Sequence, residues 1–326
     1  MAYLVIGGSG FLGLNLAEQL LAADKDVILY DLAPPPAAAV EMLKRLPGRL
    51  DIVLGDVLSR NQLDTAIQGR RIDHVIHAAA ITAGTHRELA EPRRIAEVNL
   101  IGTIEVLEFA RRHQVKRLVY VGTGSVYGAS GLNGAAELEE DVELPLPASM
   151  YGITKYAAER ACLRYRELSG LDVVVARLAM VFGRWEYHTA ARDTLSLPVQ
   201  IYQLALHGKA AVLPQGALSD WIYAPDAARA LIALADADRP EHTVYNIGTG
   251  MPWPLSAWCD RVRASFPDFS YSFSADPNQL TVGALAVKGR NPFAARRLGE
   301  GLGFRAQYPL DAAYEDYENW LRSSPL

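Results

Sequence analysis

The chain has 326 residues, of which 50% are hydrophobic and 21% are charged, and its net charge is −5. This is the profile of a globular protein with a sizeable core in one large domain or two lobes, and its interspersed charges favour neither a nucleic-acid nor a membrane partner. The two cysteines, Cys162 and Cys259, are far apart and the histidines form no cluster. We therefore expect no metal site and a cytoplasmic location.

The first 31 residues predict a strand, a glycine turn, a helix and a second strand. Gly7, Gly10 and Gly13 give the spacing G-x-x-G-x-x-G. Glycine allows the tight turn and lets a pyrophosphate approach the backbone and the helix N-terminus. The second strand ends at Asp31, where a carboxylate suits a ribose 2′-OH and repels a 2′-phosphate, and residues 32–36 contain no basic side chain. We predict a dinucleotide site for NAD rather than NADP, the alternative being a glycine turn in an unrelated α/β protein.

Short apolar strands alternate with helical patterns as far as residue 178, which is the signature of a doubly wound parallel sheet. The six predicted strands are 2–6, 26–30, 51–54, 73–77, 116–121 and 172–178. Beyond Phe182 the pattern is less regular. We predict a Rossmann-like NAD-binding α/β domain over residues 1–183 and a smaller substrate-binding lobe over residues 184–326. The lobe should cap the carboxyl ends of the strands, where ligands bind in such sheets.

A tyrosine and a lysine open the helix that follows the fifth predicted strand. That strand ends in V-G-T-G-S-V-Y-G, which contains Thr123, and the helix begins Y-G-I-T-K from Tyr151 to Lys155. Because positions i and i+4 share a helix face, we expect the Lys155 ammonium to lower the pKa of the Tyr151 phenol. Such a phenol can take a proton from a substrate hydroxyl while the Thr123 hydroxyl holds the oxygen. Without the glycine motif, a Y-x-x-x-K pair is typical of a solvated helix face.

Together these motifs resemble the extended short-chain dehydrogenases/reductases of the NAD-dependent epimerase/dehydratase family. The similarity covers nearly the whole chain and includes residues 55–57, 77–80, 98–103, 177–183, 220–223, 245–250, Asp226 and Leu298-Gly299. The family's helices that match 92–113 and 151–168 often pair across a homodimer. Ordinary packing on the sheet is the alternative.

The resemblance implies a role for each matching residue. Thr123, Tyr151 and Lys155 are the catalytic residues. Tyr151 and Lys155 are also cofactor contacts, and Lys155 binds the nicotinamide ribose. The implied cofactor contacts are Gly7, Gly10, Phe11, Leu12 and Gly13 at the pyrophosphate, Asp31 at the adenine ribose, Asp56 and Val57 at the adenine, Ala78, Ala79 and Ala80 along the dinucleotide, and Leu178 and Val181 near the nicotinamide.

Departures from the family narrow the chemistry. The dehydratases have Asp-Glu after the threonine, whereas this chain has Gly124 and Ser125, so we do not expect water elimination and count Ser125 with Thr123 as substrate contacts. The Cys/His pair of the epimerase-reductases is not seen. Members that act on nucleotide sugars usually have Asn and Arg where this chain has Met180 and Ser219, and their Arg-x-Gly-Asp element is not found near residues 287–290. At least one usual clamp of the diphosphate is therefore missing.

The loop after the sixth strand lies where the family has its substrate loops. Arg184, His188 and Arg192 could hold a carboxylate or phosphate of a sugar-like substrate, or the loop could be solvated with local ion pairs such as Arg192 to Asp193. We predict an NAD-dependent dehydrogenase for a secondary alcohol of a sugar, sugar acid or related polyol. A nucleotide-sugar epimerase with bound NAD is the second interpretation. A non-catalytic NAD-binding regulator is the third, and Thr123, Tyr151 and Lys155 argue against it.

Overall fold

The chain forms alternating strands and helices in a computed structural model that describes residues 1–132, 134, 136–216, 218–283 and 289–323. Residues 287 and 288, where part of the Arg-x-Gly-Asp element was sought, lie outside the described residues. The strands are β1 (Ala2–Ile6), β2 (Asp26–Asp31), β3 (Leu50–Leu54), β4 (His74–His77), β5 (Arg117–Thr123), β6 (Val173–Leu178), β7 (Met180–Phe182), β8 (Ala211–Pro214), β9 (Leu218–Ser219), β10 (Trp221–Tyr223), β11 (Val244–Ile247), β12 (Trp253–Pro254) and β13 (Tyr271–Ser274). The helices are α1 (Phe11–Ala22), α2 (Ala37–Leu43), α3 (Arg60–Ala66), α4 (Thr85–Ala90), α5 (Pro92–Ala96), α6 (Gly102–Arg112), α7 (Met150–Ser169), α8 (Leu197–Leu206), α9 (Ala224–Asp236), α10 (Leu255–Ser265), α11 (Arg296–Leu302) and α12 (Leu310–Ser323).

Seven parallel strands form the central sheet, in the order β11-β6-β5-β4-β1-β2-β3. Six of these are the predicted strands, so the predicted Rossmann-like α/β fold is confirmed. The order runs outward in both directions from the neighbouring pair β1 and β4. Chains wound in this way leave a crevice beyond the carboxyl ends of that pair. The glycine turn follows β1, and it therefore opens directly into the crevice.

The seventh strand comes from the part of the chain that the sequence assigns to the second lobe. β11 pairs with β6 in parallel register, with Tyr245 opposite Ala176. The preceding helix, α9, packs on α1, and Gln19 of α1 donates to the carbonyl oxygen of Pro225 at 2.8 Å. The four residues of β11 are too few to show a strand period. The boundary at residues 183 and 184 stays a prediction, but the sheet itself crosses it.

Alternating side chains of β1 separate two layers of core. Tyr3 and Val5 pack with α1, α9 and aromatic residues of the later segment, whereas Leu4 and Ile6 pack with α6 and α7 on the opposite face. All four side chains are at most 1% exposed. Burial of each such side chain contributes about 1.5–3 kcal/mol, which fixes both helix layers against the sheet. As each helix runs antiparallel to its strands, the N-termini of α1 and α7 meet at the same sheet edge.

Two helices beside the crevice differ in their regularity. The predicted helix over 92–113 is interrupted, since α5 and α6 are joined by a π-helical turn over Glu97–Ile101. The predicted helix over 151–168 is continuous as α7. The Ser149 side chain accepts a hydrogen bond from the Gly152 N–H at 3.0 Å, and Gly170 ends the helix with a φ of 70°. These ends place Tyr151 in the first turn of α7. The homodimer contact of these helices stays a prediction.

No helix within the described ranges is long and apolar enough to cross a membrane.

Candidate active site

The glycine turn after β1 fits the close approach of a phosphate group. Gly7 has a φ of +83°, and a Cβ at this position would lie 2.5 Å from the backbone nitrogen of Ala79. A Cβ on Gly13 would clash with the carbonyl oxygen of Gly7. Within the described chain no side chain caps α1, and its first residues line the adjoining cleft. Its peptide N–H groups and dipole therefore favour a phosphate at that end.

A cleft of about 480 Å³ lies at the carboxyl edge of the sheet, between the glycine turn and residues 187–192. Its size is that of a small-molecule site. Eleven of the predicted cofactor contacts line it: Gly7, Gly10, Phe11, Leu12, Gly13, Asp31, Asp56, Val57, Ala78, Ala79 and Ala80. Together with the close backbone approach at Gly7, this lining fits a dinucleotide. Tyr151, Lys155, Leu178 and Val181 are not in the lining, and their cofactor contacts stay predictions.

The carboxylate of Asp31 is held at the end of β2 by backbone donors. The N–H of Ser9 donates to one carboxylate oxygen at 3.0 Å, and the N–H of Leu32 donates to the other at 2.7 Å. Burial raises the pKa of Asp31, and these hydrogen bonds act in the opposite direction. The side chain thus links the glycine turn to the tip of β2. This is where the predicted acceptor for a ribose hydroxyl should lie.

The predicted catalytic hydroxyls come together between β5 and α7. Thr123 ends β5, and its hydroxyl and that of Thr82 lie beside the phenol of Tyr151 as potential hydrogen-bond donors. Burial raises the pKa of Tyr151, while these donors and the positive charges of Arg192 and Arg290 act to lower it. The predicted lowering of this pKa is therefore wrong in its net direction, because taking the phenolate out of water outweighs the nearby donors and cations.

Lys155 lies one turn below Tyr151 but is enclosed by other groups. Its side chain is buried, and its Nζ lies 4.2 Å from the centroid of the Tyr120 ring. Burial lowers the pKa of Lys155 to about 7. Beside it, burial and the Lys155 charge lower the pKa of His77 to about 3, so His77 is neutral and Nε2 contacts the Thr103 hydroxyl at 3.0 Å. Lys155 is thus a titratable amine at neutral pH rather than a permanent ammonium.

Backbone and amide groups hold the surroundings of Tyr151 in place. The N–H of Ser125 donates to the Thr123 hydroxyl oxygen at 3.1 Å, so the substrate contact predicted for the Ser125 side chain stays a prediction. Asn99, in the π-helical turn, accepts from the N–H of Ile81 at 2.7 Å and donates to its carbonyl oxygen at 3.1 Å. Ile81 precedes Thr82. Asn99 therefore acts as a positioning residue for one of the two hydroxyls that contact Tyr151.

Residues 184–194, which we call the strap, cross the cleft from the glycine turn to the loop after β4. The Tyr187 hydroxyl donates to the carbonyl oxygen of Ser9. At the other end, the N–H of Thr82 donates to the carbonyl oxygen of Ala191 at 2.8 Å. The strap is thus tied at both ends by hydrogen bonds to the sheet edge.

Arg184 is directed away from the cleft, although the sequence analysis assigns it to the substrate. Its guanidinium pairs with both carboxylate oxygens of Asp316 and with Glu18 at 3.2 Å. Burial acts to lower the pKa of Arg184, but the hydrogen bond to Asp316 and the nearby negative charges outweigh it, so the pKa is raised. These partners satisfy the charge, and the residue is not in the cleft lining. Arg184 ties the strap to α1 and α12, and we leave it out of the proposed site.

His188 and Arg192 do line the cleft, as a substrate or cofactor contact requires. Arg192 pairs with Glu186 and not with Asp193, while Asp193 accepts from Arg87 at 3.0 Å. The example pair Arg192–Asp193 is therefore wrong, but Arg192 and Glu186 form an ion pair within the same loop, so the alternative of a loop with local ion pairs stays open. The substrate contacts of His188 and Arg192 stay predictions.

Comparison with known proteins identifies the family. A sequence model described as "NAD dependent epimerase/dehydratase family" matches residues 3–248. UDP-glucuronate 4-epimerase of Thermodesulfobacterium geofontis is 30% identical, over 76% of this chain and 75% of its own. The bifunctional UDP-glucose and UDP-xylose 4-epimerase 3 of Arabidopsis thaliana is 25% identical, over 99% of this chain and 95% of its own. The crystal structure of Thermus thermophilus UDP-glucose 4-epimerase in complex with NAD superposes with a TM-score of 0.81 at 25% identity, over 99% of both chains. The chain belongs to the NAD-dependent epimerase/dehydratase family of extended short-chain dehydrogenases/reductases, and the predicted cofactor, NAD, is confirmed.

Proposed function

We propose that the protein is an NAD-dependent epimerase of a nucleotide sugar, which oxidises a ring hydroxyl and reduces the ketone from its other face. The proximity of the Thr123 hydroxyl to the Tyr151 phenol, beside the dinucleotide cleft, is the observation that carries this proposal. Relatives that act on UDP-sugars match almost the whole chain, which supports this second interpretation of the sequence over a dehydrogenase for free sugars.

Tyr151 moves the proton in this proposal. As phenolate it accepts the proton of the substrate hydroxyl, and as phenol, the form that burial favours, it returns a proton to the ketone oxygen. The Thr123 hydroxyl holds that oxygen in both directions. When bound, NAD supplies the acceptance and return of hydride at the substrate carbon.

The proposal predicts that Tyr151→Phe abolishes turnover without loss of the cofactor. General acid–base catalysis is worth about 10²- to 10⁴-fold, so we expect at least that loss in kcat with NAD affinity within a few-fold of wild type. Conversion of UDP-glucose and UDP-glucuronate to their 4-epimers is followed by chromatography, and NAD binding by calorimetry. Tyr156→Phe, on the same helix, is the matched control and should retain activity. A Tyr151→Phe variant with wild-type turnover would contradict the proposal.

A dehydrogenase for a free sugar or sugar acid is the second candidate, and Ser219 and Met180 favour it. Ser219 belongs to the short antiparallel pair of β9 and β12, and Met180 packs against the core, so neither offers the cation or amide of the family's usual nucleotide clamp. Absorbance of NADH distinguishes the candidates. Net NADH with a free sugar or sugar acid supports the dehydrogenase, whereas epimer formation without net NADH supports the epimerase.

A further inference from the structure

We propose that Arg290 forms a carboxylate-binding subsite beside Thr123 and Tyr151, so that the substrate sugar bears an acidic group close to its reacting hydroxyl. This inference rests on the proposed sugar oxidation and names its substrate class. It assigns a role to a residue that the sequence motifs do not single out.

The side chain of Arg290 reaches the residue next to Thr123. Its Cγ and Cδ run past Gly131, at 3.1 and 3.4 Å from where a Cβ would lie. Its Nη1 ends 2.7 Å from the Cβ position of Gly124, and the Phe293 ring lies 2.5 Å from the same point. A side chain at position 124 would therefore have to displace both the guanidinium and the buried Phe293 ring. Where the family's dehydratases have an acid, this chain has a glycine that accommodates a cation.

The backbone that follows Arg290 is held by two hydrogen bonds to other segments of the chain. The N–H of Asn291 donates to the carbonyl oxygen of Gly131 at 3.0 Å. The N–H of Phe293 donates to a carboxylate oxygen of Asp220 at 3.1 Å. These contacts fix the chain that directly follows Arg290, and they position its guanidinium in advance of ligand binding.

The charge of Arg290 has no acidic partner among the described residues, which include every Asp and Glu of the chain. Its electrostatic neighbours are the phenols of Tyr151 and Tyr127, and burial lowers its pKa. Other enclosed arginines near the site are each paired with an acid: Arg177 with Glu159, Arg184 with Asp316 and Arg192 with Glu186. A cation removed from water needs an anion to offset its desolvation, and here the substrate is placed to supply it.

A carboxylate suits this position better than a diphosphate. The guanidinium lies against Gly124, which follows Thr123, and the Thr123 hydroxyl lies beside the phenol of Tyr151, the proposed proton carrier. An anion bound there belongs to an atom near the reacting carbon, as the carboxylate of a uronic acid does. The planar fork of arginine also matches the two oxygens of a carboxylate.

The experiment compares two ligands that differ only in this group, UDP-glucuronate and UDP-glucose, on the NAD-loaded enzyme. Calorimetric affinity and kcat/KM are measured for wild type, Arg290→Gln and Arg290→Lys. We expect Arg290→Gln to weaken the binding of UDP-glucuronate by about 10- to 100-fold and that of UDP-glucose by less than about three-fold. Arg290→Lys should have an affinity for UDP-glucuronate between those of wild type and Arg290→Gln. The matched control is Arg296→Gln, an exposed arginine on the same segment that pairs with Glu139, and it should change neither.

Other outcomes overturn the subsite. Equal weakening of both ligands would assign Arg290 to the diphosphate, and an unchanged affinity for UDP-glucuronate would remove it from the substrate site. If wild type binds neither nucleotide sugar, the proposed function fails, and the same variants are titrated with free glucuronate and glucose. Selective loss of glucuronate binding would then retain the subsite, and no binding to wild type would overturn it. Should Arg290→Gln fail to fold, Arg290→Lys decides by the same ratio: a selective loss of UDP-glucuronate affinity supports the subsite, and equal affinities for wild type and variant overturn it.

Discussion

The Lys155 amine is buried, where the charged form loses its hydration. It is 2% exposed, and the nearest acid on its helix, Glu159, is engaged by both Nε and Nη2 of Arg177 at 3.1 and 2.7 Å. Burial lowers the pKa of Lys155 from 10.5 to about 7. Between these two pH values the unfolded chain binds a proton that the folded chain does not. Folding is therefore penalised fully below pH 7, and the penalty fades as the pH rises toward 10.5.

This penalty can be measured by replacing Lys155 with methionine, which has a similar shape. We expect Lys155→Met to be more stable relative to wild type at pH 6 than at pH 10. At pH 6 the wild type must bury a charged amine, whereas methionine carries no charge at either pH. Urea denaturation at pH 6, 8 and 10 gives the difference in the free energy of unfolding at each pH. Lys44→Met, at an exposed position, is the control. A difference independent of pH would show that Lys155 titrates alike in both states.

At the scale of elements, the π-helical turn over Glu97–Ile101 is a local irregularity with a structural purpose. The turn presents Asn99 to the backbone of Ile81, and the Asn99 amide also donates to the Thr154 hydroxyl of α7 at 3.1 Å. Such turns interrupt helices frequently at functional sites. Here the turn joins the loop after β4 to the helix that holds Tyr151.

We expect Asn99→Ala to lower both stability and turnover. Loss of the amide leaves the buried N–H and carbonyl of Ile81 unpaired, and each such group costs about 1–3 kcal/mol. Thr82, the next residue, would also lose its fixed position at the Tyr151 phenol. Urea unfolding and kcat are measured together, with Asn61→Ala at an exposed position of α3 as the control. A variant that loses stability but keeps wild-type kcat would separate Asn99 from the catalytic geometry.

Local patterns predicted the elements that depend on neighbouring residues. The spacing of Gly7, Gly10 and Gly13 needs only the turn between one strand and one helix, and the pairing of Tyr151 with Lys155 needs only one helical turn. The π-helical turn was not predicted, because its cause is the contact of Asn99 with Ile81, 18 residues away. The predicted direction of the Tyr151 pKa shift is wrong because burial, which no local pattern reports, makes the largest contribution to the shift.

At the scale of the whole molecule, distant segments complete the site. Arg290 approaches Gly124, and the strap closes over the glycine turn through Tyr187 and Ser9. The sequence contains no local pattern that predicts these contacts, since each joins segments more than 100 residues apart. The fold supplies the order of the strands, and the order brings the segments to one edge of the sheet.

The same long-range order predicts that the full chain unfolds as one unit. β11 completes the sheet, α9 packs on α1, and Arg117 of β5 donates to the carbonyl oxygen of Leu234 at 3.1 Å. All five tryptophans lie between residues 185 and 320, and in the described part of the chain only Trp185 hydrogen-bonds to α1, through Glu18. Their fluorescence therefore reports mainly the later segment, whereas far-ultraviolet circular dichroism reports both. We expect the two signals to follow a single urea transition, which Arg117→Gln moves to lower urea for both probes. Separate transitions, with only the circular dichroism shifted by Arg117→Gln, would instead support independent domains divided at residue 183.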